Sequence, residues 1–260
     1  MKYTVIIPAR YASTRLPGKP LADICGKSMI ERVYAQAKLS KAERVIVATD
    51  HEGIASVVRD FGGDCIMTRA DHESGTDRLA EVAAALALDD NDIVVNVQGD
   101  EPLIPPEVID QVAHNLYKNS EASIATVSEP IISASQYQDP NSVKVVADNQ
   151  GLALYFSRAP IPWHRDLLER SSAEEIEAFL VESSPVKKHI GIYAYKVRLL
   201  HSFVQWPVAA LEKIEKLEQL RALANGQRIH VEDAIAPVPV GIDTPSDLER
   251  ARTYFKNQSE

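Results

Sequence analysis

Cysteine is scarce in this sequence: there are 2 in 260 residues, Cys25 and Cys65. So few thiols exclude a disulfide framework, and they stand in no His/Cys spacing of the kind that holds zinc. Positive charge is also short, with 28 Lys and Arg against 37 Asp and Glu, a net charge of −9 and an isoelectric point near 5.3. That balance argues against general nucleic-acid binding, whose affinity comes from neutralised phosphates. No apolar run is long enough to span a bilayer, and MKYTVIIPAR enters a strand without a cleavable-signal pattern. Membrane insertion is therefore not expected, and the cytoplasm is the default location. Internal repeats and low-complexity segments are missing. So are a Ser/His/Asp or Cys/His nucleophile pattern, the phosphate loop GxxxxGK(S/T) and the dinucleotide fingerprint GxGxxG. What is present is 45% hydrophobic and 25% charged residues, enough for a sizeable core, expected as one domain over residues 1–260.

One stretch runs against the overall charge. Tyr3 to Lys27, YTVIIPARYASTRLPGKPLADICGK, opens on the apolar run Val5-Ile6-Ile7, long enough for a buried strand. Pro8 ends that run because it cannot donate to a sheet ladder. Beyond it come the cations Arg10, Arg15, Lys19 and Lys27 against a single carboxylate, Asp23. Ser13, Thr14 and Gly18 are small and let an anion approach the backbone. Ser28, with Glu31 three residues on, reads as a capping box that opens a helix. A cationic loop between a buried strand and a helix is where an open α/β sheet binds phosphates. The alternative, a solvated basic loop, is disfavoured because Pro17 and Pro20 stiffen the segment at the strand's carboxyl end.

Strand and helix patterns alternate through the first half, which predicts βαβ units and a mostly parallel sheet. Helices are expected over Met29–Leu39, Gly53–Phe61, an Ala/Leu-rich segment ending near Leu88, and Pro106 to about Tyr117. Strands are expected over Arg44–Ala48, Cys65–Met67 and Asp92–Gln98. In the second half Ser123–Ser128, Ser142–Ala147 and Leu152–Ser157 read as strands, the last two joined by the turn Asp148-Asn149-Gln150-Gly151 and so antiparallel. Residues 161–185 are polar, hold a short helix around Ala173–Leu180, and read as an insertion or subunit contact. His189–Tyr195 is a further strand, followed by helices over Val197–Gln205 and Ala209–Asn225, short strands over Arg228–Glu232 and Val238–Gly241, and a terminal helix from Pro245 capped by Thr244.

Asp100 is the foremost candidate for chemistry. It follows an apolar strand, in NVQGDEP, at the edge where open α/β sheets place ligands. A hard oxygen ligand beside a phosphate site suits Mg²⁺, although a turn-forming Asp explains the spacing equally well. Asp243, in GIDTP, is the partner candidate, with helix capping as its competing role. Local spacing does not tell whether the two carboxylates meet. Ser74-Gly75-Thr76-Asp77-Arg78 is a second strand-to-helix loop; Ser74 or Thr76 caps, and Arg78 stands one turn into the helix, within reach of an anion at the same edge. His189, Tyr193, Glu218 and Gln219 are polar residues in apolar surroundings, each taken alone more ordinary as structure than as site.

Taken together, IPARYASTRLPGKPL, ESGTDR, NVQGDEP, LYFSRAPIP, KHIGIYAY, EKLEQLRAL and GIDTPSDLERA resemble the 3-deoxy-manno-octulosonate (KDO) cytidylyltransferases, nearly end to end from about Tyr3 to Arg252. The resemblance implies an α/β nucleotide-diphospho-sugar transferase fold, Rossmann-like, with a mixed, mostly parallel central sheet flanked by helices. It also implies a smaller antiparallel region for sugar binding and dimer contact within about residues 123–195, a homodimer and a Mg²⁺ requirement. The implied reaction is CTP plus KDO giving CMP-KDO and pyrophosphate, for lipopolysaccharide synthesis. By the same likeness Arg10, Ser13, Arg15 and Lys19 hold the CTP phosphates. The Ala9-Arg10 backbone and Ser74, Gly75 and Thr76 help select cytosine, with Gln98 beside the nucleotide. Asp100 and Asp243 bind magnesium, and Arg78, Gln98, Arg158, His189, Tyr193, Glu218 and Gln219 line the sugar-acid pocket. Three other readings stand beside this one: the same chemistry on amino-substituted KDO or another 2-keto sugar acid, a nucleotide-binding module without catalysis, and a glycosyltransferase. The carboxylate pair disfavours the second, and the GDEP strand end, in place of a DxD motif, disfavours the third.

Overall fold

The computed structural model describes residues 1–11, 16–72, 74–168, 172–183 and 186–258. Ser13 and Arg15 of the cationic loop lie outside the described residues.

Strand β1 (Thr4–Ala9) runs through a nine-stranded sheet. Its apolar residues do not alternate with polar ones because both faces are covered: Val5 and Ile7 join one core layer and Ile6 the other. A short 3-10 turn (Lys19–Leu21), the small hairpin β2 (Asp23–Ile24) and β3 (Lys27–Ser28), and helix α1 (Met29–Lys38) follow. Ser28 accepts from the Glu31 amide and so caps α1, as its spacing predicts. Then come β4 (Arg44–Thr49), α2 (Glu52–Asp60), β5 (Asp64–Met67), α3 (Gly75–Ala85) and β6 (Ile93–Asn96). These strands make the expected parallel set, in the spatial order β6-β1-β4-β5.

The second half adds α4 (Pro106–Lys118), β7 (Ile124–Pro130), α5 (Ala134–Gln138), β8 (Lys144–Ala147), β9 (Ala153–Ser157), α6 (Arg165–Leu168) and α7 (Ala173–Ser183). It closes with β10 (Lys187–Lys196), α8 (Val197–Phe203), α9 (Ala210–Glu215), α10 (Gln219–Ala224), β11 (Ile229–Asp233) and α11 (Pro245–Asn257). The long strand β10 inserts antiparallel between β6 and β7, and β11 extends the sheet parallel to β7. Strands β8 and β9 pair antiparallel, as predicted, and hang from the start of β10. Helices α1, α2 and α4 cover one face with Ile30, Val33, Ile54, Val58, Val108 and Val112. Helices α3, α8 and α10 cover the other with Leu79, Val82, Leu199, Phe203 and Leu220.

Two expectations are corrected. Val238–Gly241 forms no strand, because Pro237 and Pro239 remove alternate donors and leave nothing for a ladder. The helix expected over Ala209–Asn225 is broken at Lys216, which takes left-handed backbone angles (φ 54°, ψ 45°) and separates α9 from α10. Helix α5 was not signalled by the sequence pattern.

Candidate active site

The carboxyl ends of β1, β4 and β6 lie side by side, carrying Ala9-Arg10, Thr49-Asp50 and Gln98-Gly99-Asp100. Gly99 permits this closeness. A Cβ there would stand 2.8 Å from the Pro8 carbonyl oxygen and 3.8 Å from the Ala9 Cα. Gly99→Ala is therefore expected to push the Asp100 turn away from β1, with a stability loss of about 1–3 kcal/mol and a larger proportional loss of turnover. A thermal melt and a rate measurement on the same sample check both.

Asp243 comes from the other end of the chain to the same place. The Ile242 amide donates to the Asp100 carbonyl at 2.9 Å, which lays the segment before α11 alongside the GDEP turn. Helix capping does not occupy Asp243, because Thr244 performs it: its hydroxyl accepts from the Asp247 amide, and the Asp247 carboxylate accepts from the amides of Asp243 and Thr244. The Asp243 side chain is left to face Lys19. The Lys19 ammonium donates to Asp100 Oδ2 at 2.5 Å and to Asp243 Oδ1 at 2.9 Å, and its side chain is 12% exposed. Burial works against that charge, but the two carboxylates outweigh it and raise the lysine above its ordinary range. One cation and two anions from three distant parts of the chain thus share one rim. Gly18, in a left-handed conformation, starts the Lys19 turn, and the Tyr11 ring lies over it, stacked on His51 with centroids 4.1 Å apart. Arg10 is exposed beside it.

Glu101 is a neighbour that the sequence reading passed over, although GDEP contained the signal. Burial, then the charge of Asp100, pushes its carboxyl up to about 8, and its Oε2 is enclosed with no hydrogen-bond partner among the described residues. Its surroundings thus favour the neutral acid beside the two carboxylates that face Lys19. Two carboxylates that already converge on one ammonium, with no nitrogen or sulfur ligand beside them among the described residues, fit a hard cation completed by phosphate oxygens.

A second polar group lies under α3 and beside β10. Ser74 caps α3 in a full capping box with Asp77, and Thr76 is buried. Glu218 enters from the break between α9 and α10. Burial raises its carboxyl, against the opposing effect of the Ser74 and Thr76 hydroxyls, and its Oε1 has no partner among the described residues. Tyr193 and Tyr195 stack at 5.6 Å, and both are raised first by burial and further by neighbouring charge. His189 packs between Phe156 and Tyr193, meets the Thr126 hydroxyl at 3.1 Å, and is held neutral by burial and by Lys188, down to about 3. Tyr195 and Asn96 belong to this group and were not singled out from sequence. The alternation in HIGIYAY that puts Tyr193 and Tyr195 on one face was the available signal. Gln98 is half-buried and reaches the Gly191 carbonyl at 3.4 Å; Gln219, also half-buried, opens α10.

Arg78, expected within reach of an anion at this edge, is fully buried, donates to Asp50 Oδ2 at 2.9 Å and to the Thr68 hydroxyl, and ties α3 to β4. Arg158 lies at the α9–α10 corner, where its guanidinium donates to the carbonyls of Pro140, Glu215 and Lys216.

A half-buried cation between two carboxylates at a sheet edge suits a nucleotidyl-transferring class, and the cytidylyltransferase family matches residues 4–229. A protein of Saccharophagus degradans named 3-deoxy-manno-octulosonate cytidylyltransferase is 57% identical over 99% of this chain and 100% of its own. One of the same name from Pseudomonas syringae pv. tomato is 58% identical over 98% of each. The solved structure of CMP:2-keto-3-deoxy-manno-octonic acid synthetase complexed with CTP superposes with a TM-score of 0.87 at 41% identity, over 99% of this chain and 100% of that one. The chain belongs to the 3-deoxy-manno-octulosonate cytidylyltransferase family. A cytidylyltransferase from Leptospira borgpetersenii, 16% identical with a TM-score of 0.60, shares the fold.

Proposed function

We propose that the protein joins CMP to KDO: the anomeric oxygen of the sugar acid bonds to the α-phosphorus of CTP, the bond from that phosphorus to the bridging oxygen breaks, and pyrophosphate leaves with the electron pair. The proton of the attacking hydroxyl passes to solvent. The observation that carries this reading is the meeting of Lys19, Asp100 and Asp243 at one rim. Both reactants are anions, so their repulsion must be cancelled before they meet. Arg10 and Lys19, with Arg15 and Ser13, bind the triphosphate, and Lys19 exchanges carboxylate for phosphate when the nucleotide arrives. Asp100 and Asp243 would hold Mg²⁺, which would supply charge neutralisation for the phosphates and lower the pKa of the acceptor hydroxyl. The backbone of Ala9 and the Ser74-Gly75-Thr76 loop hold the base, with Gln98 between nucleotide and sugar. His189, Tyr193, Glu218 and Gln219 bind the sugar acid, with Arg158 at its border. The enclosed Glu218 Oε1, without a partner among the described residues, supports that role, since a sugar hydroxyl would supply a donor there. Positioning and charge stabilisation suffice for transfer at phosphorus, in keeping with the missing nucleophile pattern.

The reading extends to one catalytic domain acting as a homodimer in the cytoplasm and feeding lipopolysaccharide synthesis. Exposed Ile132, Trp163 and Val181, around the small core cluster of α5 and α7, support the subunit contact. Among the described residues no helix is long and apolar enough to cross a membrane.

Pyrophosphate release is expected with CTP, KDO and Mg²⁺ together. Release is expected to fall to background when UTP replaces CTP, when KDO is omitted, or when EDTA removes the metal. CTP binding without turnover of KDO, amino-substituted KDO or other 2-keto sugar acids would overturn the enzymatic reading. Preference for one of the other acids would change only the acceptor.

A further inference from the structure

The break between α9 and α10 has no glycine or proline to explain it. Lys216 holds left-handed angles in a run, EKLEQLRAL, whose residues favour continuous helix. A non-glycine residue stays in that region only where its surroundings over-determine it. Here the surrounding device is a buried ion pair that bridges the break. The Arg221 guanidinium, on α10, donates through Nε to Glu212 Oε2 at 2.9 Å and through Nη2 to Glu212 Oε1 at 2.6 Å, on α9. Both residues are 8% exposed. Glu212 Oε2 also accepts from the Ala209 amide at 3.0 Å, and the Arg221 guanidinium lies over the Phe203 ring at 4.5 Å. The pair is thus fixed to α8 and to the start of α9.

A buried ion pair is weak as a source of stability, because desolvation offsets most of the attraction; its strict geometry is what it contributes. The geometry fixed here is that of Glu218. It stands three residues before Arg221, on the same side of α10, and the break is what turns it towards Ser74 and Thr76. From the other side the Glu215 carbonyl accepts from Arg158 Nε at 2.6 Å, and the Glu215 carboxylate accepts from the Ser157 hydroxyl at 2.6 Å, so the corner is also tied to β9.

We propose that Arg221 and Glu212 are positioning residues for acceptor recognition: their ion pair locks the break at Lys216 and so aims Glu218 at the sugar acid. This rests on the reading above that Glu218 contacts the acceptor.

The test is steady-state pyrophosphate release by the whole protein with Mg²⁺, CTP and KDO, for wild type, Arg221→Ala, Arg221→Lys and Glu218→Gln. Arg221→Ala is expected to raise KM for KDO about tenfold while KM for CTP stays within about twofold, as for a loss confined to one substrate's binding. Arg221→Lys keeps the charge but not the two-pronged contact, and is expected to fall between Arg221→Ala and wild type. If Arg221→Ala does not fold by circular dichroism, the lysine variant decides: a rise in KM confined to KDO supports the proposal. If Glu218→Gln raises KM for KDO but the folded Arg221 variants change neither KM, or change both alike, the positioning role is overturned and the Glu218 contact stands. If Glu218→Gln leaves KM for KDO unchanged, the contact and the positioning role both fall.

Discussion

Lys19→Ala is expected to lower kcat by about a hundred- to a thousandfold, the usual loss when one preorganised charge stabiliser is removed from a reacting centre. Asp100→Asn is expected to do the same, and to raise the Mg²⁺ concentration needed for half-maximal rate. The fold is expected to survive both changes. Lys19 lies on a short turn rather than within the sheet, and the Asp100 and Asp243 side chains are 30% and 45% exposed, so each carboxylate left without the ammonium is still hydrated. The measurement is the initial rate of pyrophosphate release at saturating CTP and KDO, beside a circular dichroism spectrum of each variant. Near-normal rates in both variants would remove the proposed mechanism, because nothing else described at that rim combines a buried cation with paired acids. Lys19→Arg separates charge from shape. It keeps the positive charge, but a planar fork replaces a compact ammonium between two carboxylates, so it is expected to recover binding of CTP more than kcat.

The sequence carried the local parts of this arrangement well. Val5-Ile6-Ile7 announced a buried strand, and Ser28 and Thr244 announced caps; all three are where the pattern put them. These are short-range signals, each decided by a few neighbouring residues. The likeness of the motifs then supplied what spacing did not, the meeting of Asp100 with Asp243. That meeting is held by the bond from the Ile242 amide to the Asp100 carbonyl and by Lys19 between the two carboxylates, and no local pattern encodes these long-range contacts. The misses are also physical. The Lys216 break is imposed by tertiary pairing of Arg221 with Glu212 against helical propensity. The strand expected over Val238–Gly241 is prevented by the two prolines within and before it. The ion pair of Arg78 was not legible in the sequence because its partner, Asp50, belongs to another βα connection.

Arg78 is also where the largest effect on stability is expected. Its guanidinium is fully buried, and one side of it satisfies Asp50, whose side chain is 16% exposed. Arg78→Ala removes a charge, opens a void beside α3 and leaves the Asp50 carboxylate enclosed without its partner. Breaking a buried pair in this way costs about 3–5 kcal/mol, a fall of roughly 10 °C or more in melting temperature for a chain of this size. The void alone does not explain so large a change if charge is the cause, and the double variant Arg78→Met with Asp50→Asn separates the two. It fills the space and removes both charges, so it is expected to regain most of the lost stability. A melt in which Arg78→Ala behaves like wild type would show that Asp50 finds another cation or water and that the pair does not tie α3 to β4. A double variant as unstable as the single one would assign the loss to packing around the arginine stem instead. If instead the double variant regains its melting temperature, its KM for KDO reports directly on Arg78: a value close to wild type keeps this residue in the scaffold, and a rise of about tenfold, with KM for CTP unchanged, returns it to the sugar-acid pocket.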